Sequence, residues 1–481
     1  MKRPNIVLIL IDDLGWRDLG CYGSAFYESP NIDRLLAEGM HFTDAYAACP
    51  VCSPTRASML TGQYPARLKL TNYIDWRRSN HPLRGRVIDA PYIDRLPTNQ
   101  TSLATALGEA GYATWHVGKW HLGYRDTYPQ RHGFDLNVGG NECGMPTHGY
   151  FAPWHLPNLP GDDVDEGTHL DDYLTDRAIE QVRAAGAEGR AFFLNYWPYL
   201  VHTPIQAKDD DIAYFQNKAR ELGLEGPAFR DGQPYPYQTQ APARQGRVQH
   251  RTLQSDPVYA AMVLNLDRNI GRLLDALDEA GVADETLVLL SSDNGGLATG
   301  HHPPTCNAPL AFGKGWMEEG GVREPLIARW PGVIAPASVC AEPVTSTDFF
   351  PTLLEAAGLD PQPHRHVDGV SLMPALRGQA FTRGPIFWHY PHYSNCGGHP
   401  GASIREGHWK LIRFFEGGRE VLYHLVDDLG ESRDRSDDEP AVLSRLREQL
   451  DRWLYDVGAL LPISNPAWTP DDHRPGCSPT V

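Results

Sequence analysis

Apolar positions along the chain follow two alternating periods. A helical pattern with start and stop signals is followed by a short continuous apolar run, and this unit recurs through about residue 350. Positions 6–11, all Ile, Val or Leu, predict a buried strand ending at Asp12-Asp13. Ser29-Pro30 opens a helix that Gly39 closes. Thr101-Ser102 opens a second, with Leu103, Ala106, Leu107 and Ala110 on one face, Gly111 as its stop, and a strand over 112–117 behind it. The longest stripe, Leu266, Ile270, Leu273, Leu274 and Leu277, predicts a helix over 257–280, ended by Gly281 and followed by the strand and glycine turn of "TLVLLSSDNGG".

Helices alternating with doubly apolar strands predict an α/β fold, a large, mostly parallel sheet sandwiched by helices. Three insertions interrupt the pattern, at 72–97, 136–165 and 226–254, rich in Pro, Gly, His and aromatics, and are expected to be irregular and functional. Beyond Arg383 the pattern changes to "PIFWHY", "ASIREGHWKLIRFF" and "EVLYHL", then a helical stretch over 440–457. These predict a smaller antiparallel α+β subdomain over 383–481, after a catalytic α/β domain over 1–382. No internal repeat is present.

Composition narrows the function classes. The 481 residues carry a net charge of −17 with acidic positions scattered, which disfavours nucleic acid and anionic membranes as partners. An anionic substrate then requires a local positive centre, which a metal ion supplies. No apolar run approaches the ~20 residues of a membrane span. "MKRPNIVLILIDDLGW" is too short in its apolar part for a signal peptide and ends in Asp12-Asp13, so a cytoplasmic location is expected as numbered, and a periplasmic or secreted one if a leader was removed. Eight scattered cysteines with a single C-x-x-C form neither a disulfide framework nor a structural zinc site.

Open α/β sheets bind ligands beyond the carboxyl ends of their strands. Four such ends carry ionisable groups: Asp12-Asp13, "GKWH" with Lys119 and His121, His202 in "VHTPI", and Asp293-Asn294-Gly295-Gly296. Three carboxylates and a carboxamide are hard oxygen ligands, suited to Ca²⁺ or Mg²⁺. Singly, each of these is more often a turn, a cap or a solvated loop. Lys314, in "FGKGWMEEGG", is the most ambiguous of the set, since no P-loop pattern surrounds it.

"ACPVCSPTRASMLTG" allows two chemistries. Cys49 and Cys52 have redox-pair spacing, but Pro54 at an early helical position and the helix formers of 57–60 put Cys52 at a helix N-terminus, with Arg56 one turn on. An anion site is the stronger reading.

"CSPTRASMLTG" resembles the signature of the formylglycine-dependent sulfatases, C-x-P-x-R followed by T-G, and "GYATWHVGKWH" resembles their second signature. "DD", "VHTPI", "SSDNGG", "GKG" before "EGGVREPL", and "LYHLVDDLGE" occur in that family's order, the last with His424 and Leu429 where Asp and Pro are usual. The resemblance implies an alkaline-phosphatase-like fold and a Cys52 converted after translation to formylglycine, whose hydrated aldehyde is the nucleophile. It implies a partner enzyme that generates the formylglycine on the unfolded chain. It implies one divalent cation, usually Ca²⁺ with Mg²⁺ as second choice, held by Asp12, Asp13, Asp293, Asn294 and the residue at 52. Lys119 and Lys314 would neutralise the sulfate oxygens and His202 would protonate the leaving alcohol. Asp293 would help deprotonate the attacking hydroxyl, Arg56 would steady it, and His121 would take the remaining hydroxyl proton. Cys49 would be a small buried hydrophobe.

The preferred substrate class is a sulfated saccharide, small or oligomeric. The insertions hold Tyr73, Trp76, Arg77 and Arg78, then His148, Tyr150, Trp154 and His155, then His389, His392 and His399, which are expected to stack on or read sugars. The same side chains are equally explained by loop packing. The rivals are a phosphonate or phosphate ester hydrolase, a simple arylsulfatase, and a non-catalytic saccharide binder.

Overall fold

The computed structural model describes residues 3–75, 84–159, 164–238 and 246–469. The central sheet contains β1 (Asn5–Ile11), β2 (Met40–Tyr46), β3 (Ala113–Gly118), β4 (Leu136–Val138), β5 (Phe192–Trp197), β6 (Thr286–Ser292), β7 (Arg323–Arg329), β8 (Ser338–Cys340) and β9 (Val344–Thr345). Their order is β8-β2-β7-β6-β1-β5-β3-β4, with β9 also pairing β2. Strands β6, β1, β5, β3 and β4 run parallel, while β7 is antiparallel to both its neighbours.

Strand β1 shows why its apolar run is continuous. Successive side chains point to opposite faces, and both faces are covered. Val7, Ile9 and Ile11 join the core under α1 (Pro30–Ala37), α4 (Leu170–Glu188), α5 (Asp209–Glu221) and α6 (Pro257–Glu279). Ile6, Leu8 and Leu10 join the core under α2 (Cys52–Thr61), α3 (Leu103–Glu109) and α7 (Phe349–Ala356). The expected capping holds at α3, where Ser102 Oγ accepts from the Thr105 N–H, and at α6, where Asp256 accepts from the Val258 and Tyr259 N–H groups.

A four-stranded antiparallel sheet follows: β10 (Ile386–Tyr390), β11 (Gly401–Glu406), β12 (Trp409–Phe414) and β13 (Glu420–His424), with α8 (Pro440–Asp456). One face, with Ala402, Ile404, Leu411 and Leu422, packs on Leu446, Leu450, Trp453 and Leu454 of α8. The other, with Trp388, Tyr390, Ile412 and Phe414, packs on Tyr46, Cys49 and Val51. Trp388 Nε1 donates to the Ala47 carbonyl at 2.8 Å. The smaller sheet is therefore the wall behind the Cys49–Cys52 turn. The described part of insertion 226–254 is more regular than expected: Arg247–Arg251 pairs with Phe229–Pro234 on one side and with Thr299–Gly300 on the other. Its strands are polar and bulged, so no period-2 pattern announces them.

Candidate active site

The four strand ends and the start of α2 converge. Asp12 and Asp13 leave β1, Lys119 and His121 leave β3, His202 follows β5, and Asp293 and Asn294 leave β6, beside one another because β6, β1, β5 and β3 are adjacent. All of α2 is buried. Cys52 Sγ lies 3.5 Å from Lys314 Nζ, whereas the Cys49 sulfur faces the Thr71 carbonyl at 4.0 Å, so the two sulfurs serve different surroundings. The Cys49–Val51 turn is held by Thr55 Oγ1, which donates to the Cys49 carbonyl at 2.9 Å, and by the Gly315 N–H, which donates to the Pro50 carbonyl at 2.8 Å.

Charges pair closely. Lys119 Nζ is 2.6 Å from Asp12 Oδ2, and Lys314 Nζ is 2.6 and 2.7 Å from the two oxygens of Asp13. Arg56 places Nε and an Nη on Asp293 Oδ2 at 2.8 and 2.7 Å, donates to the Lys119 carbonyl at 3.1 Å, and lies over Trp197 at 5.0 Å. Trp197, absent from the sequence-derived site, is a cation–π floor at the last residue of β5. Asn294 Nδ2 donates to Asp13 Oδ1 at 2.8 Å, and the Asp13 N–H to Asp293 Oδ1 at 3.3 Å. His202 Nε2 lies 3.5 Å from Asp13 Oδ2 and 3.2 Å from Lys314 Nζ. All five expected metal ligands thus share one cluster. Its tightest group joins Asp12, Asp13, Cys52 and His202, with ligand atoms within 4.8 Å of one another, while Asp293 is drawn onto Arg56.

The donor set fits a hard dication. Asp12 Oδ1 and Asn294 Oδ1 have no hydrogen-bond partner among the described residues, although both residues are fully buried. Buried unpaired oxygen acceptors beside carboxylates are what such an ion satisfies. Three carboxylates, Asp12, Asp13 and Asp293, face three cations, Arg56, Lys119 and Lys314, so the side chains balance. A bound dication would tip the centre positive, against the acidic protein as a whole.

Burial and neighbours set the protonation states. Burial pushes the Cys52 thiol up to about 12 despite Lys119 and Lys314. Burial lifts Asp293 to about 6, with Asp12 adding repulsion against the pull of Arg56. For Asp13, burial is outweighed by Lys314, His202 and Lys119, which hold its carboxyl well below the usual range. Burial and Lys314 lower His202 to about 3. Burial and Lys119 hold His121 well below an ordinary imidazole. Its Nε2 is 2.8 Å from the Ile74 carbonyl, and its Nδ1 has no partner among the described residues. A neutral ring donating from Nε2 leaves Nδ1 free to accept a proton.

The expected sugar-reading residues divide. Trp76, Arg77 and Arg78 lie outside the described residues. His148 is exposed, edge-on to His155 at 5.2 Å. Tyr150 and Trp154 are corrections, because both are buried in the core. Tyr150 Oη donates to the Tyr199 and His202 carbonyls at 2.7 and 2.8 Å, so it shapes the His202 turn instead of meeting a sugar. His389 and His392 are also buried, bonded to the Leu460 carbonyl at 3.0 Å and Thr71 Oγ1 at 2.8 Å. His399 pairs with Glu416.

One element escaped the sequence reading. Lys410 of β12 lies 2.9 Å from Glu319 and 3.0 Å from Glu431, all three buried, and Glu431 accepts from the Glu319 N–H at 2.6 Å. This ties the loop carrying Lys314 to the smaller sheet. Lys410→Met would take the cation from Glu431 and leave it facing Glu319, which keeps Arg323 at 3.1 Å. Denaturant unfolding of that variant should show a loss of about 3–5 kcal/mol, together with weaker turnover; unchanged stability would contradict the linkage.

Comparison with known proteins follows the same geometry. The family profile described as Sulfatase matches residues 4–359. The chain belongs to the sulfatase family. A second profile, N-sulphoglucosamine sulphohydrolase, C-terminal, matches residues 310–456 of this sulfatase. An N-acetylgalactosamine-6-sulfatase of Canis lupus familiaris is 33% identical over 410 residues, covering 81% of this chain and 69% of that protein. A sulfatase of Formosa agariphila is 31% identical over 540 residues, covering 95% and 90%. The crystal structure of Ps i-CgsB, 29% identical, superposes with a TM-score of 0.74 over 97% of this chain and 94% of that one, and the same protein has been solved in complex with k-i-k-neocarrahexaose. The sulfatase is thus a sulfuric ester hydrolase with the expected fold, and no described helix is long and apolar enough to cross a membrane.

Proposed function

We propose that this sulfatase hydrolyses a sulfate monoester on a saccharide, using formylglycine formed from Cys52 and a divalent cation, Ca²⁺ by preference. One observation carries the reading: Cys52 Sγ stands at the start of a buried helix, 3.5 Å from Lys314 Nζ and grouped with the oxygens of Asp12 and Asp13 and a nitrogen of His202. The relatives named as N-acetylgalactosamine-6-sulfatases, and the neighbour solved with k-i-k-neocarrahexaose, support the saccharide.

Asp12, Asp13, Asp293, Asn294 and the residue at 52 would hold the cation. With both groups in place, the site gains a Lewis acid and a hydrated aldehyde as nucleophile. The side chains do the rest. Lys119 and Lys314 bring two ammonium groups to the sulfate oxygens, where charge must be neutralised before a nucleophile approaches. His202 is neutral without substrate, and a sulfate anion supplies the negative charge that favours its protonated form, which then protonates the leaving alcohol at Nε2. Arg56, anchored on Asp293 and Trp197, fixes the carboxylate that accepts the nucleophile's proton. His121 accepts at Nδ1 the proton whose removal expels sulfate.

Cys52 is 2% exposed in a wholly buried helix, so the enzyme that oxidises it must meet the unfolded chain. The two-domain division, 1–382 and 383–481, is proposed with it, the smaller unit acting as wall to the Cys52 turn.

The rival chemistry is tested by turnover of matched aryl sulfate, phosphate and phosphonate esters. The sulfate should be preferred in kcat/KM by about a hundredfold or more. A preference for phosphonate or phosphate would transfer the protein to the other ester class.

A further inference from the structure

The turn after β5 delivers His202 to the site, and its backbone is gripped from both sides. Pro198 has no N–H with which to extend the ladder of β5, so the polar groups of Tyr199 and Leu200, both fully buried, need partners elsewhere. One oxygen of Asp171 accepts the Tyr199 N–H at 2.8 Å and the Leu200 N–H at 3.5 Å. On the other side the Tyr199 carbonyl accepts from Tyr150 Oη at 2.7 Å and from the His202 N–H at 3.1 Å. Tyr150 Oη also donates to the His202 carbonyl at 2.8 Å. Both clamping side chains are fully buried, and Asp171 stands in the first turn of α4, a rigid 19-residue support.

The middle of the turn is fixed independently. The Asp12 N–H donates to the Leu200 carbonyl at 3.2 Å and the Val201 N–H to the Asp12 carbonyl at 2.9 Å, which ties both residues to the end of β1. Loss of the clamp therefore leaves Asp12 held and moves the His202 end. There Nδ1 of the ring lies 2.9 Å from the Thr203 carbonyl and Nε2 lies 3.2 Å from Lys314 Nζ. The second Asp171 oxygen has no partner among the described residues. Burying a carboxyl in that way costs stability, so the two bonds of the first oxygen account for its place. Burial lifts this carboxyl to about 8, against the Tyr199 and Leu200 N–H groups. At pH 7 the neutral acid prevails, and a carboxamide is a close replica of it.

We propose that Asp171 and Tyr150 are positioning residues for His202, setting where its Nε2 meets the leaving oxygen of the ester. The proposal rests on the reading of the site as a sulfatase with His202 as general acid. Two esters of similar shape test it, 4-methoxyphenyl sulfate, whose weakly acidic phenol leaves best with a proton, and 4-nitrophenyl sulfate, whose phenol departs as the anion. The ratio of kcat/KM for the first to that for the second should fall about tenfold or more in Asp171→Ala and in Tyr150→Phe. It should stay within about threefold of wild type in Asp171→Asn. General destabilisation lowers both rates together and leaves the ratio unmoved. A ratio unchanged in Tyr150→Phe, which keeps its ring in the core, or a fall in Asp171→Asn as deep as in Asp171→Ala, would overturn the clamp. The ring-carbon resonance of His202 in histidine-labelled protein, assigned by its loss in His202→Asn, separates the two readings. It should shift in Asp171→Ala and Tyr150→Phe and return in Asp171→Asn. If the wild type turned over neither ester while the resonance moved in this way, the sulfatase chemistry would fail and the clamp would stand. A resonance unmoved in Tyr150→Phe would remove the clamp whatever the chemistry.

Discussion

Cys52→Ala should lower kcat on any sulfate ester by at least about four orders of magnitude while leaving the fold in place. The side chain is small and sits at the first turn of α2, whose hold on the core comes from Ala57, Met59 and Leu60. Loss of one buried sulfur costs about 1 kcal/mol, so the thermal midpoint should move by only a few degrees at most. Cys52→Ser is the sharper variant. A serine hydroxyl has the position of a nucleophile but no second hydroxyl whose deprotonation expels sulfate, so the chain should be trapped with one sulfuryl group attached, visible by mass after incubation with substrate. Steady turnover by either variant would mean that another group attacks the ester.

Chelation should have the second largest effect. Asp12, Asp13 and Asn294 leave a fully buried oxygen without a partner or shared with a lysine, and a ligand that binds the folded state a hundredfold above its Kd contributes about 2.7 kcal/mol. Removing the dication should abolish turnover and lower the midpoint by about 3 °C in a chain of this length, both restored by Ca²⁺. The loss of stability is expected to be modest because Arg56, Lys119 and Lys314 already balance the three carboxylates. A chelated preparation with full activity would dissolve the oxygen-ligand assignment.

Much of this site was legible in the sequence because two independent signals coincide. Strands buried on both faces write continuous apolar runs, and the polar residue that ends such a run marks the sheet's carboxyl edge, so Asp12, Lys119 and Asp293 could be placed on one edge before any coordinates. The parallel pairing of these neighbouring strands then brings them together. What stayed hidden depends on partners far away in the chain. Lys410 reads as an ordinary alternating strand residue, and only the packing of β12 against the Glu319 loop reveals a buried cation between two carboxylates. Tyr150 and Trp154 show the converse failure. Aromatic composition in a loop does not say whether a ring faces solvent, and here both rings face inward, on Tyr199 and Tyr173. The polar strands of 229–251 escaped because their pairing is made by backbone groups and a bulge, without a hydrophobic face.

Activity depends on an oxidised carbon at position 52 held against a ring of oxygen donors. That dependence is tested most directly by the mass of the peptide spanning Val51 to Arg56 in preparations of graded activity. Specific activity should rise in proportion to the fraction carrying the aldehyde and vanish where only the thiol is found. Full activity in a preparation whose Cys52 is entirely thiol would contradict it.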